Sequence, residues 1–397
     1  MRLLYLTHNI AWKGGGVFYT AYHQGRHLVA RGHEVTLMCV SPKAKVRFHE
    51  YMSEGVRIIE TPDLLQGKAR TGWDPWDILQ RICYLRHSHY DLVHGYESRP
   101  VVALPALYLK HRKNIPMVLT WADWFGHGGK GSERGRYLKL VMDPLETFCE
   151  DFFYPRADRC IVMGTPLLEH ALSLGLDPNR MMNLLHGCDP ERIKVISIQD
   201  ARDQLSRFSL PQKGTVFGYL GVLRESSAEL LFKAFSLIRP HINGQCKLLF
   251  IGNHKLNLSE YIPSELREDV IQTGWLSYQD VNLCLSACDI LMLPLKKVLA
   301  TDNVWPSKLN DYLAAGRPVL ATNMRILTSV FEKYQVGLLA TDEPQAYADA
   351  CLHLLGNPSI CVGMGQNARQ LAEGDLSWSS IVDRLEQFYT GLISTYH

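Results

Sequence analysis

The first forty residues alternate apolar and turn-forming segments in an order that few folds allow. Residues 3–6 form a short apolar run, a glycine triplet follows at 14–16, and residues 17–31 show a helical pattern that ends at Gly32. Residues 33–40 then consist almost entirely of β-formers. A strand, a glycine loop, a helix and a second strand make a βαβ unit, and such units build parallel sheets.

The same alternation continues along the chain in two successive series. The first series predicts further strands at 91–94, 117–120 and 157–163, with helices at 102–110 and 166–174. The second predicts strands at 215–220, 247–251, 270–273, 289–293 and 319–322, with helices at 228–237, 281–287 and 309–315. Each series is long enough for a doubly wound, Rossmann-like α/β domain, in which ligands bind beyond the carboxyl ends of the strands.

A polar stretch at 191–214 separates the two series and marks the expected domain boundary. We predict an N-terminal Rossmann-like domain at 1–195, a C-terminal Rossmann-like domain at 196–376, and a last segment at 377–397. Two such domains facing each other make an inter-domain cleft, which is a common place for a small-molecule site.

Composition excludes several classes of protein. The net charge is only +2 over 397 residues, so nothing global attracts nucleic acid. No apolar run approaches the 18 residues that would suggest a transmembrane helix, and the N-terminus lacks the apolar core of a signal peptide. The ten cysteines are scattered, and the one close pair, Cys284 and Cys288, has helical spacing. Reduced thiols and a cytoplasmic location are the expectation.

The segment 303–322 carries the most chemical information. Ser307 is the predicted N-cap of a helix, and Gly316 follows its end. Lys308 and Asp311 share a face, while Leu309 should point to the core. Free amides at the helix start, together with Lys308, suit an anion, and a carboxylate one turn later suits ribose hydroxyls. The alternative is a solvated pair that contributes only ~0.2–0.5 kcal/mol.

This segment resembles the donor-binding motif of the retaining family 4 glycosyltransferases, which have the GT-B fold. Asp311 stands where the family has a ribose-binding Glu, and Asn303 stands where it has a Glu that contacts the donor sugar. Asp311 keeps the charge on a shorter arm, whereas Asn303 loses it. The resemblance covers nearly the whole chain. It implies that 1–195 is the acceptor domain, that 196–376 is the donor domain, and that a final helix from about Trp378 packs back on the first domain. It also implies the following donor-binding residues: Gly14, Gly15, Gly16, Trp275, Asn303, Ser307, Leu309 and Asp311. Trp275 could equally be a half-buried surface aromatic.

One departure lies at the first strand of the second series. The family usually has an Arg and then a Lys there, and these cations bind the diphosphate. This chain has Val222 at the Arg position and no following Lys, but Arg224 stands two residues further on. Arg224 and Lys308 are therefore the expected cations for the leaving phosphate. The alternative for Arg224 is a surface pair with Glu225.

A second departure lies after the strand at 117–120. The family often has a His near the reacting sugar where this chain has Ala122, with Asp123 next to it. Asp123 could orient a hydroxyl of the donor or the acceptor, or it could cap a turn. Trp121 and Trp124 could stack on a sugar, and with His127 they form the expected acceptor side.

The resemblance implies transfer of a hexose-type sugar from a nucleoside diphosphate to a glycan, lipid-linked or small-molecule acceptor, with retention of configuration. No cofactor and no metal are expected, because cations and amides hold the diphosphate. Two alternatives stay open: an inactive GT-B module that binds a sugar nucleotide or a partner, and a sugar-nucleotide epimerase. Basic residues of the first series could contact the inner face of a membrane, although most such charges are solvated surface. These residues are Lys43, Lys45, Arg47, His111, Arg112 and Lys113.

Overall fold

The computed structural model describes residues 1–12, 16–65, 71–129, 135–253 and 256–396. Its contacts divide the chain into two compact units. The first comprises Met1–His186, Asn303–Trp305 and Trp378–His397, and the second comprises Gly187–Asp302 and Pro306–Ser377. The sequence-based division at 195/196 falls inside the second of these units. The chain crosses between units three more times after His186, a pattern that a single linear boundary does not describe.

The first unit contains an eight-stranded sheet. Its strands run in the spatial order β3-β4-β2-β1-β5-β6-β7-β8, and only the edge strand β3 is antiparallel to its neighbour. Their bounds are β1 Arg2–Ile10, β2 Glu34–Val40, β3 His49–Ser53, β4 Val56–Thr61, β5 Leu92–Tyr96, β6 Met117–Trp121, β7 Arg159–Val162 and β8 Met181–Asn183. Every residue of β5 and β6 is buried, as expected of central strands covered on both faces.

Helices cover this sheet. They are α1 Gly16–Val29, α2 Pro75–Leu85, α3 Pro100–Lys113, α4 Arg136–Phe153 and α5 Thr165–Ser173, joined by the last helix of the chain, α14 Trp378–Ile393. The hydroxyl of Tyr389 on α14 lies 3.0 Å from that of Tyr5 on β1 and 2.5 Å from His94 Nδ1 on β5. Helix α14 is therefore fastened to the centre of the first sheet by buried polar contacts.

The second unit contains a six-stranded, wholly parallel sheet in the order β11-β10-β9-β12-β13-β14. Its strands are β9 Thr215–Leu220, β10 Cys246–Ile251, β11 Val270–Gln272, β12 Ile290–Leu293, β13 Val319–Thr322 and β14 Gly337–Ala340. Its helices are α6 Ile198–Gln204, α7 Glu225–Ile238, α8 Tyr278–Ser286, α9 Leu299–Asp302, α10 Lys308–Ala315, α11 Arg325–Tyr334, α12 Pro344–Leu355 and α13 Pro358–Glu373. One apolar core lies between this sheet and helices α7 and α12.

The fold expectation is confirmed: each unit is a parallel-sheet, Rossmann-like α/β unit. All ten cysteines are free thiols. Cys288 Sγ donates to the backbone carbonyl of Cys284, so this pair is in contact without forming a disulfide. Within the described residues, no helix combines the length and the apolarity that crossing a bilayer demands.

Candidate functional site

Three neighbouring strands of the second unit run into glycines with left-handed backbone conformation. Gly221 follows β9 with a φ of 83°, Gly252 follows β10 with a φ of 108°, and Gly274 stands just beyond β11 with a φ of 67°. Gly252 and Gly274 also form a bridge to each other. Because other residues adopt these angles only with strain, this edge presents backbone rather than side chains. It is the carboxyl edge of a parallel sheet, where ligands of such folds bind.

Lys308, the first residue of α10, reaches this edge. Its Nζ donates to the hydroxyl of Tyr219 at 2.6 Å and lies 4.1 Å from the centre of that ring. A Cβ built on Gly221 would be 3.9 Å from the same Nζ. Burial, and secondly the charge of Arg224, lower the pKa of Lys308 to about 7. Within the described part of the chain no carboxylate forms an ion pair with Lys308, so its charge is available to an anion.

Arg224 occupies the N-cap position of α7 and is exposed. Its effect on the pKa of Lys308 means that the two cations share one electrostatic neighbourhood. The loop between β9 and α7 is held by the Tyr219 hydroxyl, which donates to the carbonyl of Val222 at 2.9 Å. Val222, whose side chain is 54% exposed, carries no charge, so that position adds no third cation to the pair. The structure thus brings Arg224 and Lys308 together at the end of β9.

Asp311, one turn into α10, has a separate partner. Its Oδ1 accepts a hydrogen bond of 3.0 Å from the hydroxyl of Tyr278, at the start of α8. Burial raises the pKa of Asp311 to about 6, against the opposing effects of the Tyr278 hydrogen bond and the charge of Arg192. Lys308 and Asp311 therefore do not form the surface pair that their spacing allows. Lys308 bonds to Tyr219 on β9, and Asp311 bonds to Tyr278 on α8.

Ser307 stands at the N-cap position of α10 as predicted, but its side chain does not cap the helix. Its backbone is helical (φ −54°, ψ −30°) and its side chain makes no capping bond. A capping side chain reaches the next free amides only from an extended backbone, so a helical Ser307 cannot serve. Leu309 is fully buried and faces the core as expected, and Asn303 is also fully buried. Trp275 is 87% exposed, which corrects the half-buried alternative.

The first unit has its own polar cluster at the carboxyl ends of its central strands. Glu97, which follows β5 with a φ of 74°, accepts hydrogen bonds from the backbone amides of Ala122 and Asp123 at 3.0 and 2.9 Å. His186 contacts Thr20 through Nδ1, and its ring lies beside Gly16 at the start of α1. Burial lowers the pKa of His186 to about 4, against an opposing effect of the Asp123 charge. Asp123 and His186 therefore face the same region as the start of α1.

The aromatic residues of the expected acceptor side differ in how far they are buried. Trp121 is fully buried and its ring stacks on Tyr154 at 4.1 Å, so the prediction that it offers a sugar-stacking surface is wrong. It is the last residue of a central strand, and both faces of that strand are covered. Trp124 is half-buried and stacks on His170 at 3.9 Å. His127 is exposed, with its Nε2 2.8 Å from Asp151.

Gly14 and Gly15 lie outside the described residues, so of the glycine triplet only Gly16 can be placed. Sequence reasoning missed the tyrosines Tyr219 and Tyr278, which position Lys308 and Asp311, and it missed Glu97 and His186. A tyrosine within an apolar strand gives no signal of its own. No local pattern in the sequence marks His186 as part of this cluster.

Comparison with known families assigns both halves of the chain to glycosyltransferases. Residues 14–192 match the model described as "Glycosyltransferase Family 4", and residues 214–357 match "Glycosyl transferases group 1". The structure of a sucrose-phosphate synthase from Thermosynechococcus elongatus aligns over 100% of both chains, with a TM-score of 0.78 and 19% identity. The chain therefore has the GT-B fold, and each of its halves is similar to a glycosyltransferase family.

Two other relatives are informative. The crystal structure of HepE from Anabaena, in complex with UDP and glucose, aligns over 99% of this chain and 100% of its own, with a TM-score of 0.72 and 14% identity. A curated relative, the "Putative teichuronic acid biosynthesis glycosyltransferase TuaH" of Bacillus subtilis, is 27% identical over 146 residues. That match spans 36% of this chain and 36% of the relative, about a third of each. At these identities the structural matches establish the fold.

Proposed function

We propose that this chain transfers a hexose-type sugar from a nucleoside diphosphate to an acceptor, with retention of configuration. The observation that carries the proposal is Lys308: a lysine held by a neutral phenol, beside Arg224, at a glycine-lined strand edge. A diphosphate needs cations and close backbone approach, and this edge offers both. The nucleotide sugar is the substrate, and neither a cofactor nor a metal takes part in the transfer step.

In this proposal each group has one task. Lys308, Arg224 and the amides at the start of α10 stabilise the charge that grows on the departing diphosphate. Asp311, ionised at neutral pH, accepts hydrogen bonds from the ribose hydroxyls, as its hydroxyl bond from Tyr278 illustrates. The leaving diphosphate takes the acceptor's proton on the same face of the sugar, so a missing histidine at Ala122 is tolerated. Positioning supplies much of the acceleration.

The acceptor is proposed to be a glycan, lipid-linked or small-molecule hydroxyl compound. Asp123 would orient one of its hydroxyls, since its backbone amide is fixed by Glu97. Trp124 and His127 stay on the proposed acceptor side, whereas Trp121 leaves it because its ring is buried. The printed role of TuaH in teichuronic acid biosynthesis supports a polysaccharide- or glycolipid-building reaction for this chain.

A membrane surface is proposed as a further partner, and α4 carries that proposal. One face of this helix exposes large apolar side chains at helical spacing, the most exposed being Tyr137 (88%), Leu140 (76%), Val141 (59%) and Phe148 (57%). Exposed Arg136 and Lys139 flank them. An amphipathic helix with cations at its border binds the interface of an anionic bilayer. We therefore propose a cytoplasmic protein that associates peripherally with the inner membrane face and does not bind nucleic acid.

A second candidate is a GT-B module that binds a sugar nucleotide without turnover. Two observations favour it: Val222 replaces a diphosphate-binding arginine, and the buried Asn303 lacks the charge of the family's glutamate. It differs from the first proposal in the chemical step alone. Binding without transfer or hydrolysis, across a broad set of acceptors, would support it.

The proposed function is tested by titrating the full chain with UDP, GDP, ADP and CMP by calorimetry, followed by transfer assays with the matching nucleotide sugars. We expect one diphosphate to bind selectively, and Lys308→Met to weaken it by tenfold or more. Lys333→Met is the control, because Lys333 is exposed and lies next to Tyr334 much as Lys308 lies next to Tyr219. A folded protein that binds none of the four nucleotides would refute both candidates.

A further inference from the structure

Three side chains of metal-ligating type meet in the first unit. They are His127 in the loop after β6, Glu150 on α4 and His170 on α5, and one ligand atom of each lies within 4.8 Å of the other two. The three residues lie in a loop and on the two α-helices that follow it along the chain, and the fold brings their side chains together. Of the three, only His127 is also on the proposed acceptor side, and the transfer step as proposed needs no metal at this cluster.

Two of the three ligand atoms are buried and lack a partner. The side chains of Glu150 and His170 are 1% and 7% exposed. Glu150 Oε1 accepts the backbone amides of Phe125 and Gly126 at 3.0 and 2.9 Å. Glu150 Oε2 and His170 Nε2, however, have no hydrogen-bond partner in the described part of the chain. They lie 4.0 Å apart, too far for a hydrogen bond, although native structures rarely leave buried polar atoms unpaired.

His127 completes the group and is held in place from α4. It has a left-handed backbone with a φ of 51°, and its amide donates to Thr147 Oγ1 at 2.8 Å. Its Nε2 contacts Asp151 Oδ1, which fixes the ring, as carboxylates commonly do for metal-ligating histidines. On the other side, Trp124 stacks on His170 and holds that ring too. All three groups are therefore positioned before any ligand arrives.

We propose that His127, Glu150 and His170 form a binding site for a divalent transition-metal ion, with Zn²⁺ the best match. Two imidazoles and one carboxylate are a ligand set that zinc uses, with bonds of about 2.0–2.2 Å to nitrogen and oxygen. At the tetrahedral angle two such bonds span about 3.4 Å, so Glu150 Oε2 and His170 Nε2, which lie 4.0 Å apart, need only a small approach to share one ion. Because His127 is partly exposed, water can fill the remaining coordination position.

The bound ion would tie the loop after β6 to α4 and α5. It would thereby fix the segment that contains Trp124 and His127, and it would anchor the inner side of the helix whose outer face is apolar. The cations proposed for the diphosphate, Lys308 and Arg224, belong to the second unit, and the metal ligands belong to the first. The role of the ion is structural, and the proposal does not depend on the transfer activity.

The test measures Zn²⁺ binding to the full chain, freed of any histidine tag and stripped of metal with a chelator, by calorimetry. All proteins carry Cys83→Ser, because Cys83 is the exposed thiol and would bind zinc by itself. The site variants are His127→Ala, at an exposed position, and Glu150→Gln, which keeps the shape and the acceptor for the two amides. His241→Ala removes another exposed histidine as the matched control. Circular dichroism confirms that each variant is folded.

We expect one Zn²⁺ per chain, a rise in Tm on binding, and a loss of affinity of tenfold or more in both site variants but not in the control. Substitution with Co²⁺ should give the visible absorption of a site with nitrogen and oxygen ligands, absent from the site variants. Binding that is equal in all four proteins, or no binding at all, would overturn the proposal.

Discussion

The lowered pKa of Lys308 makes donor binding depend on pH in a way that can be calculated. In the free protein the lysine titrates at about 7, because it is buried and lies near Arg224. A diphosphate beside its Nζ favours the charged form and returns the pKa toward the ordinary 10.5. Since the anion binds the protonated lysine, affinity is complete below pH 7 and is lost as the pH rises through 7.

The size of the effect follows from linkage. With a pKa of about 7 in the free protein and about 10.5 in the complex, affinity falls about 50-fold between pH 7 and pH 9, and binding at pH 8 takes up about 0.9 proton. Asp311 limits the acid side, because its carboxylate, with a pKa of about 6, loses acceptor capacity when it is protonated. The two groups together predict tightest binding between pH 6 and 7.

Calorimetry at pH 5 to 9, in pairs of buffers with different ionisation enthalpies, measures both the affinity and the proton uptake. The titrant should be a nucleotide sugar, because its diphosphate has no proton to lose in this range. Lys308→Met should bind weakly, without proton uptake at pH 8, while Lys333→Met should behave as the unmodified chain. Asp311→Asn should no longer lose affinity below pH 6, while its loss of affinity above pH 7 should stay the same. Equal affinity at pH 7 and pH 9 in the unmodified protein would refute the assignment of Lys308 to the diphosphate.

Two further predictions concern groups whose exposure the structure decides. Trp121→Ala should lower the free energy of unfolding by about 3–5 kcal/mol in urea titrations, because the ring is fully buried, whereas Trp275→Ala should change it by less than about 0.5 kcal/mol; similar values for the two would contradict the burial argument. Leu140→Glu combined with Phe148→Glu should abolish sedimentation with anionic vesicles and leave the Tm unchanged, with Met52→Glu, on an exposed edge strand, as the control; undiminished sedimentation would exclude α4 as the membrane contact.

Much of the fold could be predicted because buried parallel strands are short, continuous apolar runs. Strands β9 and β13 have the predicted bounds, and α14 begins at Trp378 as expected. Strand β3 escaped prediction because its sequence, His-Glu-Tyr-Met-Ser, is polar and lies at a sheet edge with little burial. The place of Asn303–Trp305 in the first unit escaped it as well, because which unit a short segment packs against depends on tertiary contacts.

The site was predictable in its positions but not in its contacts. The spacing in segment 303–322 identified Lys308 and Asp311, yet it allowed them to pair with each other. Their partners Tyr219 and Tyr278 lie 89 and 33 residues away along the chain, and no local pattern marks them. The assignment of Trp121 to the acceptor side was wrong, because a position at the end of a strand does not reveal whether the side chain points to the core or to the site.

In the proposed donor site, the tyrosine beside Lys308 compensates for the arginine that the resembled family usually has where this chain has Val222. A carboxylate partner would neutralise the charge of the lysine. The Tyr219 hydroxyl instead accepts a hydrogen bond from Lys308 and donates one to the Val222 carbonyl, so the positive charge is kept. The site then depends on two neighbouring cations, and their mutual repulsion contributes to the lowered pKa of the lysine.

Val222→Arg would place a third cation here, since the Val222 carbonyl lies 3.5 Å from Lys308 Nζ. We expect tighter donor binding at pH 6.5. We also expect the loss of affinity at high pH, the basic limb of the profile, to begin at a lower pH, because added positive charge lowers the pKa of Lys308 further. A limb that stays in place or moves to higher pH would show that Lys308 does not titrate in response to its cationic neighbours.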